Sequence, residues 1–167
     1  MPKPRIRQET DKDRAAIRKV TEDAFAPKSF SDGSEAGIPD ALREAGALSL
    51  SLVADIEGAV VGHVALSPVT FGGAVSWYGL GPISVAPVRQ SEGIGTALIG
   101  AALDWLKRSG AAGCVLVGDP GYYSRFGFFS DGEATYGDLD ARLVQRIVVD
   151  GPDAAGEVQF HAAFGGG

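Results

Sequence analysis

The chain has 167 residues, of which 45% are hydrophobic and 22% are charged, and this balance predicts a single globular domain spanning residues 1–167. The formal net charge is −6 and no cluster of Lys and Arg is present, which excludes a nucleic-acid-binding surface and mildly favours a cationic substrate. Cys114 is the only cysteine, so an internal disulfide is excluded, and with only His63 and His161 to assist it no metal site is expected.

The sequence also bears on localisation. No apolar stretch reaches the roughly 20 residues that span a bilayer, and the first residues lack the apolar segment of a signal peptide. We therefore expect a cytoplasmic protein without a membrane partner. The oligomeric state stays open, with a homodimer among the options.

The N-terminal part of the sequence predicts a short strand followed by two helices. The strand covers residues 5–9, and Thr10 and Asp11 offer N-caps for a helix that runs to Phe25 before Pro27 ends it. After a predicted loop over residues 31–37, Pro39 opens a second helix, residues 40–44, which stops at Gly46.

Alternating hydrophobicity then predicts an antiparallel hairpin, with strands over residues 48–56 and 60–69 joined by a turn at Glu57 and Gly58. A third strand, residues 75–85, contains Gly79, Gly81 and Pro82, which interrupt the hydrogen-bond ladder of a central strand. We expect a bulge or a splayed segment there.

A helix from about Gly95 to Arg108 and an apolar strand, residues 113–117, follow. This order predicts a right-handed crossover between two parallel strands. Beyond a turn at residues 118–121, the sequence predicts a short helix over residues 122–126. Strands over residues 143–149 and 157–164, with a loop over residues 150–156 between them, complete the pattern, and residues 165–167 form a loose glycine tail.

The loop from Gln90 to Thr96 joins a strand to a helix and is rich in glycine. Loops of this kind bind phosphate, because unpaired backbone amides and the helix dipole both face the anion. A P-loop requires a Lys directly after the loop, and none is present. A dinucleotide-binding loop requires a third glycine at the position of Leu98. The loop is therefore a poor match to both the P-loop and the dinucleotide-binding motif.

Gln90, Gly93 and Gly95 form the spacing QxxGxG, followed by Thr96. Together with LGPISVAP upstream and VGDPGYYSRFGF downstream, this loop resembles the acetyl-CoA signature of the GNAT superfamily of N-acetyltransferases, and the resemblance covers nearly the whole chain. It implies an α/β (α+β) fold, in which a mixed, mostly antiparallel sheet has a splayed central parallel pair and is flanked by helices.

The resemblance also implies how acetyl-CoA is held. The amides from Ser91 to Thr96 would cradle the pyrophosphate, and the backbone of Ile83 and Val85 would bind the pantetheine arm like an added strand. The cofactor-binding residues that it implies are Ile83, Ser84, Val85, Gln90, Ser91, Gly93, Ile94, Gly95 and Thr96. Family members often carry Gly or a basic residue where this chain has Ser91 and Glu92, and we expect Glu92 to face solvent.

Acyl transfer to an amine requires an acid for the departing thiolate and a base for the ammonium. In YYSRFGF, Tyr123 is similar in position to the tyrosine that protonates the coenzyme A thiolate in the family; the alternative is that Tyr123 only packs in an aromatic cluster. Arg125 is a candidate for a phosphate contact or for a surface role. Cys114 is a poor nucleophile because burial raises a thiol pKa, so no covalent intermediate is expected.

The general base is not identified by the sequence. The third strand carries no carboxylate, although related enzymes often place a Glu on it, which leaves Glu22, Asp23, His63 or an ordered water as candidates. The predicted function is N-acetylation of a small-molecule or peptide amine. A weakly catalytic acetyl-CoA sensor module and a structural protein without a cofactor are the alternatives.

Overall fold

The structure is a computed structural model that describes residues 3–27 and 35–164. The strands are β1 (Arg5–Gln8), β2 (Leu50–Ile56), β3 (Ala59–Pro68), β4 (Thr70–Phe71), β5 (Trp77–Val85), β6 (Gly113–Val117), β7 (Ala134–Thr135), β8 (Val144–Val148) and β9 (Gly156–Gln159). The helices are α1 (Arg14–Phe25), α2 (Ile38–Glu44), α3 (Ile94–Ser109) and α4 (Pro120–Tyr123). Most of the predicted 31–37 loop and the glycine tail lie outside the described residues, and Glu35–Gly37 form a 3-10 turn that leads into α2.

Six strands form the main sheet, in the order β1-β2-β3-β5-β6-β8. Every neighbouring pair is antiparallel except β5 and β6, which α3 connects as a crossover. The mixed, mostly antiparallel sheet with a central parallel pair is thus confirmed. No helix among the described residues is both long and apolar enough to cross a membrane.

The parallel pair is short, and its strands diverge. Backbone pairing of β5 with β6 runs only from Trp77 to Gly79 on β5. Beyond Gly79, β5 stays paired with β3 alone, and that ladder contains a bulge in which Gly81 and Pro82 lie opposite Ala65. We call the opening between residues 80–85 of β5 and residues 116–117 of β6 the fork. The predicted bulge and the predicted splaying both occur.

Helices cover both faces of the sheet. On one face α3 packs closely, because Gly62 of β3 has no side chain: a Cβ built there would lie 2.9 Å from Cγ2 of Ile94 and 3.1 Å from Cδ1 of Leu98. On the other face α1 lies across β3 and β5. The N-terminus of α3 and the C-terminus of α1 are thereby brought to the same region of β5.

A second, three-stranded sheet, in the order β4-β9-β7, packs on the main sheet over a core that contains Phe71, Trp77 and Val158. The sequence did not predict it, because strands of two residues show no alternation. The predicted strand over residues 157–164 is wrong beyond Gln159. His161 turns the chain there, since its Nδ1 accepts a hydrogen bond from the amide of Ala163 at 3.0 Å, and Ala162–Phe164 form a 3-10 turn.

Candidate active site

The glycine loop after β5 presents unpaired amides at the start of α3. Ser91 and Gly93 have positive φ angles of 68° and 85°, which turn the chain into the helix. The amide of Ala97 donates to the carbonyl of Gly93 at 3.0 Å, so the amides that precede it in α3 are those that a helix leaves without an internal partner. The Gln90 side chain braces the loop by donating to the carbonyl of Val85 at 3.2 Å.

This loop forms one wall of a cavity of about 790 Å³ that runs through the fork. The loop, β5, the C-terminus of α1 and the region around α4 all contribute to its lining. The lining residues are Ala24, Phe25, Ile83, Val85, Arg89, Gln90, Ser91, Gly93, Ile94, Gly95, Thr96, Tyr122, Tyr123 and Arg125. A cavity of this size, built from backbone amides, apolar side chains and two guanidinium groups, suits a phosphate-bearing ligand with an apolar arm.

Of the residues implied by the family resemblance, Ser84 alone does not line this cavity. Its side chain is buried on the opposite face of β5, where it lies across from His63 and its hydroxyl makes no hydrogen bond within the described residues. Ile83 and Val85 alternate with Ser84 along β5, so their side chains point to the face of the sheet that α3 covers. Both residues therefore line the cavity. Ile94 lines it as well, although its side chain is buried against Gly62.

Tyr123 lines the same cavity, on the side of the fork that β6 forms. Its ring packs edge-to-face on Phe128, with ring centroids 6.0 Å apart, and occupies the space that a side chain at Gly118 would fill. Burial raises the pKa of Tyr123 to about 12. The phenol therefore keeps its proton at neutral pH and is available as a donor.

Tyr122 and Arg125 extend the wall beside the loop. The hydroxyl of Tyr122 lies 2.9 Å from the position of a Cβ at Gly95, and the Arg125 guanidinium lies over the Tyr122 ring, 5.2 Å from its centroid. The sequence favoured a packing role in an aromatic cluster for Tyr122, and its ring does pack against the rings of Tyr123 and Phe126, with centroids 5.0 Å and 5.5 Å away. Its spacing from the glycine loop in the sequence gave no signal, since only the fold brings α4 against the start of α3.

None of the three candidate side-chain bases lines the cavity. Glu22 is exposed, and Asp23 pairs with Lys19 at 2.9 Å. His63 is fully buried, its Nε2 lies 2.7 Å from the Ser51 hydroxyl, and burial lowers its pKa to about 4. Among the described residues that line the cavity there is no carboxylate. Glu92 is exposed and lies 3.6 Å from Arg89, outside the lining.

Gly79 occupies the last paired position of β5 before the fork. A Cβ built there would lie 2.9 Å from Cδ1 of Phe160 and 2.9 Å from Cγ1 of Val69, so the Phe160 ring covers the backbone. A side chain at this position would clash with the Phe160 ring and with Val69. Phe160 lies far from β5 in sequence, and no pattern in the sequence indicated this contact.

Cys114 is not placed to act as a nucleophile. The thiol is fully buried in β6, and burial raises its pKa far above that of a free cysteine. Within the part of the chain that the structure describes, no group of three or more His, Cys, Asp or Glu side chains could hold a metal ion.

Comparison with known proteins gives one consistent result. The sequence model of the Acetyltransferase (GNAT) family matches residues 15–128. The uncharacterized N-acetyltransferase YhbS of Escherichia coli strain K12 is 44% identical over 153 residues, which cover 85% of this chain and 90% of that protein.

Two solved structures are similar over almost their whole length. One is a GNAT family acetyltransferase from Brucella melitensis in complex with acetyl-CoA, with 48% identity, coverage of 98% of this chain and 99% of that chain, and a TM-score of 0.87. The other is YhbS from Escherichia coli in complex with CoA, with 32% identity in this alignment, coverage of 99% and 93%, and a TM-score of 0.86. From its fold, its loop and these relatives, the chain belongs to the GNAT family of acetyltransferases.

Proposed function

We propose that this protein transfers the acetyl group of acetyl-CoA to a primary amine by direct attack, with Tyr123 as the general acid. The observation that carries the proposal is that one cavity joins the amides of the glycine loop to the Tyr123 side chain through the fork. The acetyl-CoA and CoA complexes of the two structural relatives support the choice of cofactor.

The cavity offers a place for each part of the cofactor. The amides of residues 91–96, the α3 dipole, Arg89 and Arg125 suit the phosphates. Along residues 80–85, the backbone groups that face the fork have no strand partner, so the pantetheine arm can pair with them as an added strand. The thioester then lies at the fork, where a backbone amide of β5 is available to its oxyanion.

The chemistry follows from this placement. The amine nitrogen attacks the thioester carbonyl carbon, the tetrahedral intermediate collapses, and the carbon–sulfur bond breaks. The departing thiolate takes the phenolic proton of Tyr123, and the tyrosinate recovers a proton from solvent or from the attacking nitrogen, which must lose one proton to become the neutral amide. Since burial raises the pKa of Tyr123 to about 12, the donor stays protonated across the physiological range. The amine must first lose its own proton, and an ordered water is the base that the site allows.

The test follows coenzyme A release against a panel of amines, comparing the native protein with Tyr123→Phe. We expect kcat to fall about 10²- to 10⁴-fold while acetyl-CoA binding is retained. Tyr78→Phe is the matched control, because the Tyr78 ring packs on Trp105 and does not line the cavity. Equal rates for the native protein and Tyr123→Phe at every pH would refute the assignment.

A non-catalytic acetyl-CoA sensor is the second candidate, and it is favoured by the lack of a carboxylate among the described residues that line the cavity. Both candidates require acetyl-CoA to raise the melting temperature, because binding to the folded state stabilises it by mass action. Release of coenzyme A with at least one amine of the panel then supports the enzyme. Stabilisation without release of coenzyme A for any amine supports the sensor.

A further inference from the structure

The segment that carries Tyr123 is bonded at both ends to β8 or to the residue just before β8. The segment leaves the main sheet at Gly118, directly after β6, where the Gly118 amide donates to the carbonyl of Leu143 at 2.9 Å. It returns to the sheet at Phe129, which exchanges two backbone hydrogen bonds of 3.0 Å and 2.9 Å with Arg146. The position of Tyr123 therefore depends on how β8 holds these two ends.

A side chain of β8 adds a further bond at the start of the segment. Nε2 of Gln145 donates to the carbonyl of Gly118 at 2.9 Å. The other bonds between the segment and β8 named above join backbone groups, which substitutions leave in place. The bond from Gln145 is the one among them that depends on the identity of a side chain.

Gln145 is a buried polar residue between apolar neighbours on its strand. It is 1% exposed, whereas Val144 and Ile147 belong to the apolar clusters on the two faces of the sheet. Burial of an amide costs free energy unless the amide is hydrogen-bonded, and an apolar side chain at this position would avoid that cost. What Gln145 supplies, and an apolar side chain would not, is the bond to Gly118.

Gly118 in turn supports the Tyr123 ring. A Cβ built on Gly118 would lie 3.0 Å from Cδ2 of Tyr123 and 3.4 Å from Cζ, the carbon that bears the hydroxyl group. Gln145 lies across from Leu116, which belongs to the same apolar cluster as the Tyr123 ring, so both side chains are on one face of the sheet. A shift of the Gly118 backbone would therefore move the surface on which the phenol lies.

We propose that Gln145 is a positioning residue, which holds the Gly118 carbonyl and thereby keeps the Tyr123 phenol at the fork. The proposal rests on the proposed function, in which this phenol is the proton donor. Gln145 does not line the cavity, so it acts on the reaction through Gly118 and the ring and not through contact with the cofactor or the amine. It gains and loses no proton in the reaction.

Gln145→Met tests the proposal, because methionine has a similar length but no donor. A displacement of about 1 Å can cost about 10²-fold in rate, so for a smaller shift we expect kcat to fall about 10-fold, with the KM for acetyl-CoA unchanged. Gln145→Asn, whose amide is one methylene too short to reach the carbonyl, should give the same loss. In a Tyr123→Phe background, Gln145→Met should cost little more, and losses that multiply there would overturn the proposal.

Ser130→Ala is the matched control for lost stability. It removes a bond of the same kind, from the Ser130 hydroxyl to the carbonyl of Ala141 at 2.8 Å, at a point beyond Phe129. We expect this variant to keep the native kcat, with thermal melts recording the stability of every variant. Equal kcat values for Gln145→Met and Ser130→Ala would overturn the proposal.

Fluorine NMR of the CoA-saturated protein with fluorotyrosine in place of its four tyrosines gives a readout that does not depend on catalysis. The signal of Tyr123 is the one that Tyr123→Phe removes. It should shift in Gln145→Met and stay in place in Ser130→Ala, and an unmoved signal in Gln145→Met would overturn the proposal. If Tyr123→Phe has the native rate, or no amine is acetylated, the proposed function fails. The fluorine signal alone then decides whether Gln145 positions the ring.

Discussion

Gly118→Ala tests the position of Tyr123 without removing its hydroxyl. A Cβ built on Gly118 would lie 3.0 Å from Cδ2 of Tyr123 and closer still to Cε2. Since carbon atoms in contact keep about 3.5–4.0 Å apart, the ring must retreat by about 1 Å. Gly118 directly follows β6, and its amide donates a hydrogen bond to the carbonyl of Leu143. The backbone is therefore less able to move than the Tyr123 ring.

A shift of about 1 Å in a proton donor can cost about 10²-fold in rate, and we expect kcat to fall by that order. Overpacking of this kind costs about 1–3 kcal/mol of unfolding free energy, so the variant should stay folded. The assay is coenzyme A release at saturating acetyl-CoA with an amine that the native protein accepts. Gly100→Ala is the control, because a Cβ at Gly100 on α3 meets nothing within 4 Å.

Combining the substitutions gives the sharper result. If Gly118→Ala acts by displacing the phenol, it should cost little in a Tyr123→Phe background, where the phenol is already absent. Rate losses that multiply in the double variant would show that Gly118→Ala acts through another group. A Gly118→Ala variant with native kcat would refute the reasoning outright, because the required displacement of Tyr123 would then be without consequence.

Two further predictions concern stability. Gly62→Ala forces a methyl group against Ile94 and Leu98, and should lower the unfolding free energy by about 1–3 kcal/mol. Because α3 must move, acetyl-CoA binding should also weaken. Thermal melts with and without acetyl-CoA measure both effects, and an unchanged melting temperature would contradict the packing argument. The Arg146 guanidinium lowers the pKa of Asp131 to about 2, so its contribution to stability is present above pH 4 and is lost as the pH falls toward 2. Arg146→Met should therefore flatten the decline of melting temperature between pH 4 and pH 2, and an unchanged slope would show that the ion pair contributes nothing.

The sequence predicted most of the main sheet because its signals are local. Alternation indicated β2 and β3, and the helical spacing of apolar residues indicated α3. The bulge was foreseeable because Gly81 and Pro82 cannot sustain a regular ladder, and the glycine loop because its spacing is a motif. In each case the residues that decide the structure are neighbours in the chain.

What the sequence did not predict depends on contacts between distant residues. The second sheet pairs two-residue strands with β9, and no local pattern marks them. The contact of Phe160 with Gly79 and the contribution of Phe25 to the cavity follow from packing alone. For Tyr122 the sequence indicated only aromatic packing, because its approach to Gly95 exists only in the fold. The wall of the cavity around α4 rests largely on such contacts, whereas the glycine loop does not.

The fork leaves part of a strand edge unpaired inside the sheet rather than at its rim. An exposed edge at the rim invites pairing with other chains, but here β5 and β6 flank the opening, so a whole strand with its own side chains has no route in. In the complex that we propose, the pantetheine arm pairs with backbone groups along this edge, and substitutions at Ile83 or Val85 leave those groups in place. Under this proposal, the side chains around the cavity can change in sequence while the arm of the cofactor keeps its backbone partner, so acceptor choice and cofactor choice can evolve separately on this scaffold.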